Sequence, residues 1–292
     1  MISFVFPGQG SQYIGMGNEI IQEFPEYRKY IDIASEKINT DIYKMIYENT
    51  EENLKLTENA QPAILTISYI KYLYTKEKLN IMPDIVLGHS LGEWTAIVAA
   101  GVIPFEDAVY CVRARGKLMS SACPPGKGSM AAVMGADMEV IKSVTEKFDN
   151  VVIANHNSPV QIVLSGDREE LLEALLILKE KGIRKTIELN VSGPFHSPLI
   201  IKAQQEMEKV VENIEFRNPD FPVIQNVSAF PETDGNIIKE NIIKQITSPV
   251  RWVESIEKAK ETGVVKYYEI GPGKVLTKLI KTVDKEAGLI NV

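Results

Sequence analysis

Asp84-Ile85-Val86-Leu87-Gly88-His89-Ser90-Leu91-Gly92-Glu93 carries a short apolar run into Gly-x-Ser-x-Gly and then directly into a helical pattern. A strand, a tight turn holding a serine and an immediate helix form the setting of a nucleophile elbow. The flanking glycines have a steric reason, because a sharp strand-to-helix turn leaves no space for side chains beside the serine. Ser90 is expected at the end of a sheet, next to the first turn of a helix. Backbone N–H groups there, that of Leu91 among them, lack intrahelical acceptors and can stabilise an oxyanion.

The rest of the composition sets the frame for this motif. With 292 residues, 45% of them hydrophobic, the chain can build one large domain or a domain with an insertion. No run of about 18 uncharged apolar residues occurs, and Met1 leads straight into Ile-Ser-Phe-Val-Phe, so neither a membrane span nor a signal peptide is expected. Cys111 and Cys123 offer no metal-ligand spacing and no disulfide framework, which points to a cytoplasmic protein. A formal charge of −7 with no basic, aromatic-laced stripe argues against nucleic-acid binding.

Taken in order, Ile2 to Phe6 reads as a strand, followed by the glycine-rich loop Pro7-Gly8-Gln9-Gly10-Ser11-Gln12. A dinucleotide loop is excluded by spacing, since Tyr13 stands where the third glycine belongs. The loop is instead a place where backbone, and Gln9, can approach a ligand closely. Asn18 to Asn39 and Ala60 to Leu79 read as amphipathic helices. A further helix over Phe105 to Met119 sets Ala108, Cys111, Val112, Arg115, Leu118 and Met119 on one stripe. Arg115 thus lies on an apolar face, where its charge needs either an anionic partner or a path to the rim.

The proline- and glycine-rich segment Cys123 to Gly128 marks a boundary. Beyond it the pattern is strand, helix, strand, strand, helix, strand, the order of a ferredoxin-like unit. Expected boundaries are 1–122 for the first part of a large α/β-hydrolase-like subdomain, 123–191 for the inserted ferredoxin-like subdomain, and 192–292 for the return to the large one. The fold class is α/β. Strands over Pro222 to Asn226 and Val264 to Ile270, and helices over Asn236 to Ile246, Trp252 to Thr262 and Lys274 to Lys281, complete the chain. Gly271-Pro272-Gly273-Lys274 lacks Walker spacing and reads as a strand-to-helix turn.

A serine nucleophile needs a base, and only His89, His156 and His196 exist. His89 adjoins Ser90 on a tight turn and projects elsewhere. His156 falls in the hairpin connection expected within the insertion. His196, in the proline-bracketed loop Gly193-Pro194-Phe195-His196-Ser197-Pro198, sits where the insertion rejoins the body, at the junction where a cleft forms. It is the expected base. No single Asp or Glu between Ser90 and His196 stands out as a triad acid, which suggests a dyad oriented by a neutral group.

Six collinear blocks give the chain a resemblance to a known family. Phe6 to Gln12, Gly88 to Glu93, Arg113-Ala114-Arg115-Gly116-Lys117, Gly193 to Ser197, Ser248-Pro249-Val250-Arg251-Trp252 and Glu269-Ile270-Gly271-Pro272-Gly273-Lys274 resemble the malonyl-CoA:acyl carrier protein transacylases. The resemblance implies that Ser90 is acylated, that His196 is its base, and that Gln9 and Leu91 supply the oxyanion N–H groups. It further implies that Arg115 pairs with the malonyl carboxylate and that Gln245 orients His196 through a carbonyl oxygen. Malonyl-CoA and acyl carrier protein are the implied partners, and ping-pong transfer through a seryl ester needs no metal or other cofactor. A monomer is expected. Trp94 departs from a tyrosine common in the family, which can reshape the pocket.

Phe195, immediately before the base, and Met119, one turn beyond Arg115, are expected to line the acyl pocket. In the polyketide acyltransferases that the chain resembles, an aromatic residue at this position accompanies malonyl selection. Lys179, Lys181, Arg184 and Lys185, with Lys274 and Lys278, are candidate docking cations for the carrier. Three other readings compete with malonyl transfer in fatty-acid synthesis: a trans-acting malonyl acyltransferase serving a polyketide synthase, a serine thioesterase, and a non-catalytic carrier-docking module. Arg115 on the apolar stripe disfavours the thioesterase.

Overall fold

The computed structural model describes residues 1–292. Its strands are β1 (Ile2–Phe6), β2 (Ile85–Gly88), β3 (Gly128–Met134), β4 (Val151–Ser158), β5 (Gln161–Asp167), β6 (Lys185–Glu188), β7 (Val223–Ile224), β8 (Pro231–Glu232), β9 (Lys266–Glu269) and β10 (Gly288–Asn291). The helices are α1 (Asn18–Glu23), α2 (Arg28–Ile38), α3 (Ile42–Tyr47), α4 (Glu51–Lys55), α5 (Thr57–Glu77), α6 (Leu91–Ala99) and α7 (Phe105–Ser121) in the first part of the chain. They continue with α8 (Met138–Thr145), α9 (Arg168–Glu180), α10 (Ile201–Val211), α11 (Gly235–Lys244), α12 (Trp252–Glu261) and α13 (Leu276–Val283).

The larger sheet has the order β10-β9-β1-β2-β7-β8 and is parallel except for β8. Its central strands are buried on both faces, as a parallel sheet covered by helices requires. Alternation along β1 divides the core: Phe4 and Phe6 join the cluster built with α5, α6 and α7, while Val5 faces Trp252 and Ile256 of α12. The smaller sheet has the order β4-β5-β3-β6 with every neighbouring pair antiparallel, the arrangement of a β-α-β-β-α-β unit. Ala131 and Val133 pack under α8 and α9, whereas Met130 and Ala132 face the main body. Reciprocal bonds from His156 N–H to the Val250 carbonyl and from Val250 N–H to the Ala154 carbonyl tie β4 to the large subdomain.

Several local expectations are corrected. Asn18 to Asn39 is not one helix: Phe24 leaves helical geometry at φ −128°, ψ 77°, and a 3-10 turn intervenes before α2. The reason is Pro25, whose ring pushes the preceding residue out of the α region. The strand expected over Pro222 to Asn226 shrinks to Val223–Ile224, because Gln225 and Asn226 turn toward Glu93. His156 lies within β4 rather than in its hairpin connection, and its Nδ1 is 3.1 Å from Glu254 Oε2. α10 has no counterpart in the sequence reading. Pro62 sits inside α5, where it cannot donate to the Glu58 carbonyl, and Arg113 Nη1 donates to that carbonyl instead.

Candidate active site

The turn after β2 places Ser90 in a conformation that few residues adopt, with φ 51° and ψ −103°. Its surroundings explain the flanking glycines. A Cβ on Gly88 would meet the Gly92 carbonyl carbon at 2.0 Å, and one on Gly92 would meet the Phe6 carbonyl oxygen at 1.9 Å. Strain at Ser90 is held by hydrogen bonds to both its backbone groups. Ser90 N–H donates to Asn226 Oδ1 at 2.8 Å, and Gln245 Nε2 donates to the Ser90 carbonyl at 2.9 Å. Asn226 Nδ2 in turn donates to the Gly88 carbonyl at 2.7 Å.

Ser90 Oγ lies 2.8 Å from His196 Nε2. The other ring nitrogen, Nδ1, is 2.8 Å from the Gln245 backbone carbonyl and 3.1 Å from that of Ser248. Two carbonyl acceptors place the imidazole proton on Nδ1 and leave the Nε2 lone pair facing the serine. Burial first, and then the Arg115 charge, push His196 down to about 3, against the opposing effect of the two carbonyls. The ring is therefore neutral in the free protein at ordinary pH. His89 turns away from the serine: Nε2 is 2.7 Å from Asn157 Oδ1, and the ring packs edge-on against Trp252.

Arg115 is 1% exposed. No carboxylate lies within salt-bridge distance, and it does not reach the rim; its partners are neutral. Nη1 donates to Gln61 Oε1 at 2.9 Å, while Nη2 donates to Gln245 Oε1 at 2.8 Å and to Ser90 Oγ at 3.1 Å. Nε has no partner in the protein. A guanidinium buried this way retains donors for an anionic ligand. Burial lowers its pKa to about 10, with Glu93 acting in the opposite direction, so it stays cationic at neutral pH.

Ser90, Leu91, Gln9, Arg115, Met119, Phe195 and His196 border one cavity of about 180 Å³, closed on the far side by Met130, Val163 and Leu189 of the smaller sheet and its exit. Gln9 and Leu91 have backbone N–H groups with no acceptor in the chain, while the Gln9 side chain donates to Thr57 Oγ1 at 3.2 Å. Gln245 stands behind the cavity rather than in its wall: its backbone carbonyl meets His196 and its side chain meets Arg115. A groove of about 450 Å³ bordered by Lys55, Thr57, Ser120 and Asn190 shares Gln9 and Val191 with the cavity and leads outward. No cluster of three or more His, Cys, Asp or Glu residues forms a metal site.

Residues 3–290 match the family model described as an acyl transferase domain. Over 295 residues the chain is 46% identical to the malonyl CoA-acyl carrier protein transacylase of Bacillus subtilis, covering 100% of this chain and 93% of that protein. The chain belongs to the malonyl-CoA:acyl carrier protein transacylase family. A Staphylococcus aureus member is 40% identical over 294 residues, with 99% of this chain and 94% of that one aligned. Among solved members of the family, an acyl carrier protein S-malonyltransferase from Vibrio cholerae superposes with a TM-score of 0.97 at 37% identity, over 100% of this chain and 96% of that one. A malonyl-transacylase in complex with a type II polyketide acyl-carrier protein superposes with a TM-score of 0.96 at 37% identity, over 100% and 95%. The transacylase fold is thus an α/β-hydrolase-like body carrying a ferredoxin-like sheet.

Glu93, Gln61, Asn226 and the Ser248 carbonyl are parts of the site that sequence reasoning assigned no role. Glu93 lies inside the quoted elbow motif, and a carboxylate on a wholly apolar helix face is a signal that could have been read.

Proposed function

We propose that this transacylase-family chain moves a malonyl group from malonyl-CoA to the phosphopantetheine thiol of acyl carrier protein. The observation that carries the reading is a single hydroxyl, Ser90 Oγ, within hydrogen-bond reach of both a tautomer-fixed imidazole at 2.8 Å and a buried guanidinium at 3.1 Å. His196 Nε2 takes the Ser90 proton as Oγ attacks the thioester carbonyl. The Gln9 and Leu91 N–H groups receive the oxyanion. Collapse breaks the C–S bond, His196 returns the proton to the departing CoA sulfur, and a malonyl-serine ester remains. The carrier thiol then gives its proton to His196, attacks the ester through the same oxyanion site, and restores Ser90. Arg115 holds the malonyl carboxylate, and Met119 and Phe195 bound the methylene.

In this reading the division at 123–191 has a purpose, since the inserted sheet closes the cavity that the elbow opens. No helix is long and apolar enough to cross a membrane, and both cysteines are free; a cytoplasmic location accords with the second, and action as a monomer is part of the same proposal. A polyketide carrier is the alternative acceptor, favoured by the likeness to the transacylase solved with one. Intact mass after brief exposure to malonyl-CoA tests the core of the reading: the wild type gains one malonyl group and Ser90→Ala gains none. An adduct on Ser90→Ala would overturn it.

A further inference from the structure

Glu93 is 0% exposed, yet no lysine or arginine lies within salt-bridge distance of it. Its Oε2 accepts from Asn226 N–H at 2.9 Å and from Gln245 Nε2 at 2.8 Å, and its Oε1 accepts from Gln225 Nε2 at 3.2 Å. A buried carboxylate satisfied only by neutral donors is costly and demands a reason. The nearest cation supplies one. The Gln245 amide stands between Glu93 and Arg115, its nitrogen given to the carboxylate and its oxygen 2.8 Å from Arg115 Nη2.

A primary amide flips easily between two orientations of similar shape. Between an anion and a cation only one of them is acceptable, because the flipped form turns its oxygen on the carboxylate and its NH2 on the guanidinium. We propose that Glu93 is a positioning residue for selection of the carboxylated acyl group: its buried charge locks the Gln245 amide, which aims the Arg115 guanidinium at the acyl pocket. The same carboxylate holds Asn226, the acceptor of Ser90 N–H. The effect through Arg115 is separable, because losing it slows transfer of acyl groups that carry a carboxylate and does not slow transfer of those that lack one.

This inference rests on the proposed malonyl transfer, and its test keeps the two apart. Rates of Ser90 ester formation are measured by quenched-flow mass spectrometry with malonyl-CoA and with acetyl-CoA on wild type, Glu93→Gln, Arg115→Ala and the double variant. Failure of wild type to form a malonyl ester would refute the functional reading itself. With that ester formed, Glu93→Gln is expected to narrow the malonyl-to-acetyl ratio of kcat/KM by about 10-fold, mostly through a higher KM for malonyl-CoA, the scale of one charge-assisted hydrogen bond. In the Arg115→Ala background the same change is expected to leave the ratio unaltered, since the group it aims is gone. A ratio unchanged in Glu93→Gln, or changed equally in both backgrounds, overturns the proposal. Gln245→Met guards against a Glu93→Gln that does not fold: it cuts the amide bridge, leaves the residue 245 backbone carbonyl for His196, and is expected to narrow the ratio similarly. A wild-type ratio in Gln245→Met would overturn the proposal on its own.

Discussion

Arg115 Nη2 donates to Ser90 Oγ at 3.1 Å, so the guanidinium and the His196 imidazole meet on one hydroxyl oxygen. In the proposed reaction the two act in different senses. His196 accepts the proton and raises the nucleophilicity of the oxygen, whereas a cation donating to Oγ withdraws electron density and also lowers the basicity of His196. A substrate carboxylate that engages Arg115 neutralises this charge at the moment the acyl group arrives. In the proposed reaction, selection and activation are thereby coupled through one side chain.

Arg115→Ala is accordingly expected to lose malonyl transfer by on the order of 100-fold or more in kcat/KM, roughly 3 kcal/mol for a charged hydrogen-bonding partner. Transfer of acetyl, which has no carboxylate, is expected to persist or rise. Steady-state kinetics with both CoA esters decides the matter, and equal losses would remove Arg115 from carboxylate recognition.

The pH profile separates two buried groups. kcat/KM reports the free enzyme, in which His196 at about 3 is already neutral and contributes no acid limb between pH 5 and 8. Burial raises Glu93 to about 7 against the hydrogen bonds from Asn226, Gln245 and Gln225. As pH falls below about 7 its carboxylate gains a proton and loses an acceptor site, so kcat/KM for malonyl-CoA is expected to decline there. Glu93→Gln is expected to abolish that limb. A limb near 6.5 that survives in the variant would assign it to an ordinary His196.

Phe195 is buried and, with Met119, borders the cavity. A methyl group in an apolar pocket is worth roughly 1 to 3 kcal/mol, so Phe195→Ser is expected to narrow the preference for malonyl over methylmalonyl by about 10- to 200-fold at most. Competition between the two CoA esters on folded variant provides the check, and an unaltered ratio would place selectivity elsewhere.

Carrier recognition is expected to use the cations at the end of α9 and the start of β6. Arg184 and Lys185 are exposed where the chain enters the outer strand β6, beyond which it continues to Leu189 and Val191 at the cavity. Reversing Lys181, Arg184 and Lys185 to glutamate is expected to raise KM for carrier protein at low salt and leave Ser90 acylation unchanged. An unchanged carrier KM would exclude this edge.

What the chain determines by itself is what short-range sterics and periodicity encode. The elbow is legible because Gly88 and Gly92 answer clashes arising within four residues and with the neighbouring strand. The order of the inserted sheet is legible because strand and helix periods alternate from Gly128 to Glu188. The tertiary structure alone decides which polar groups meet. Arg115 reaches Gln61 and Gln245 across 54 and 130 residues, and Glu93 reaches Asn226 and Gln245 across 133 and 152. Amide side chains have no periodic signature and no fixed sign of charge, and either end of each can donate or accept. Their partners are set only when packing brings distant elements together, which is why a buried arginine that a sequence leaves in need of an anion can rest among neutral amides instead.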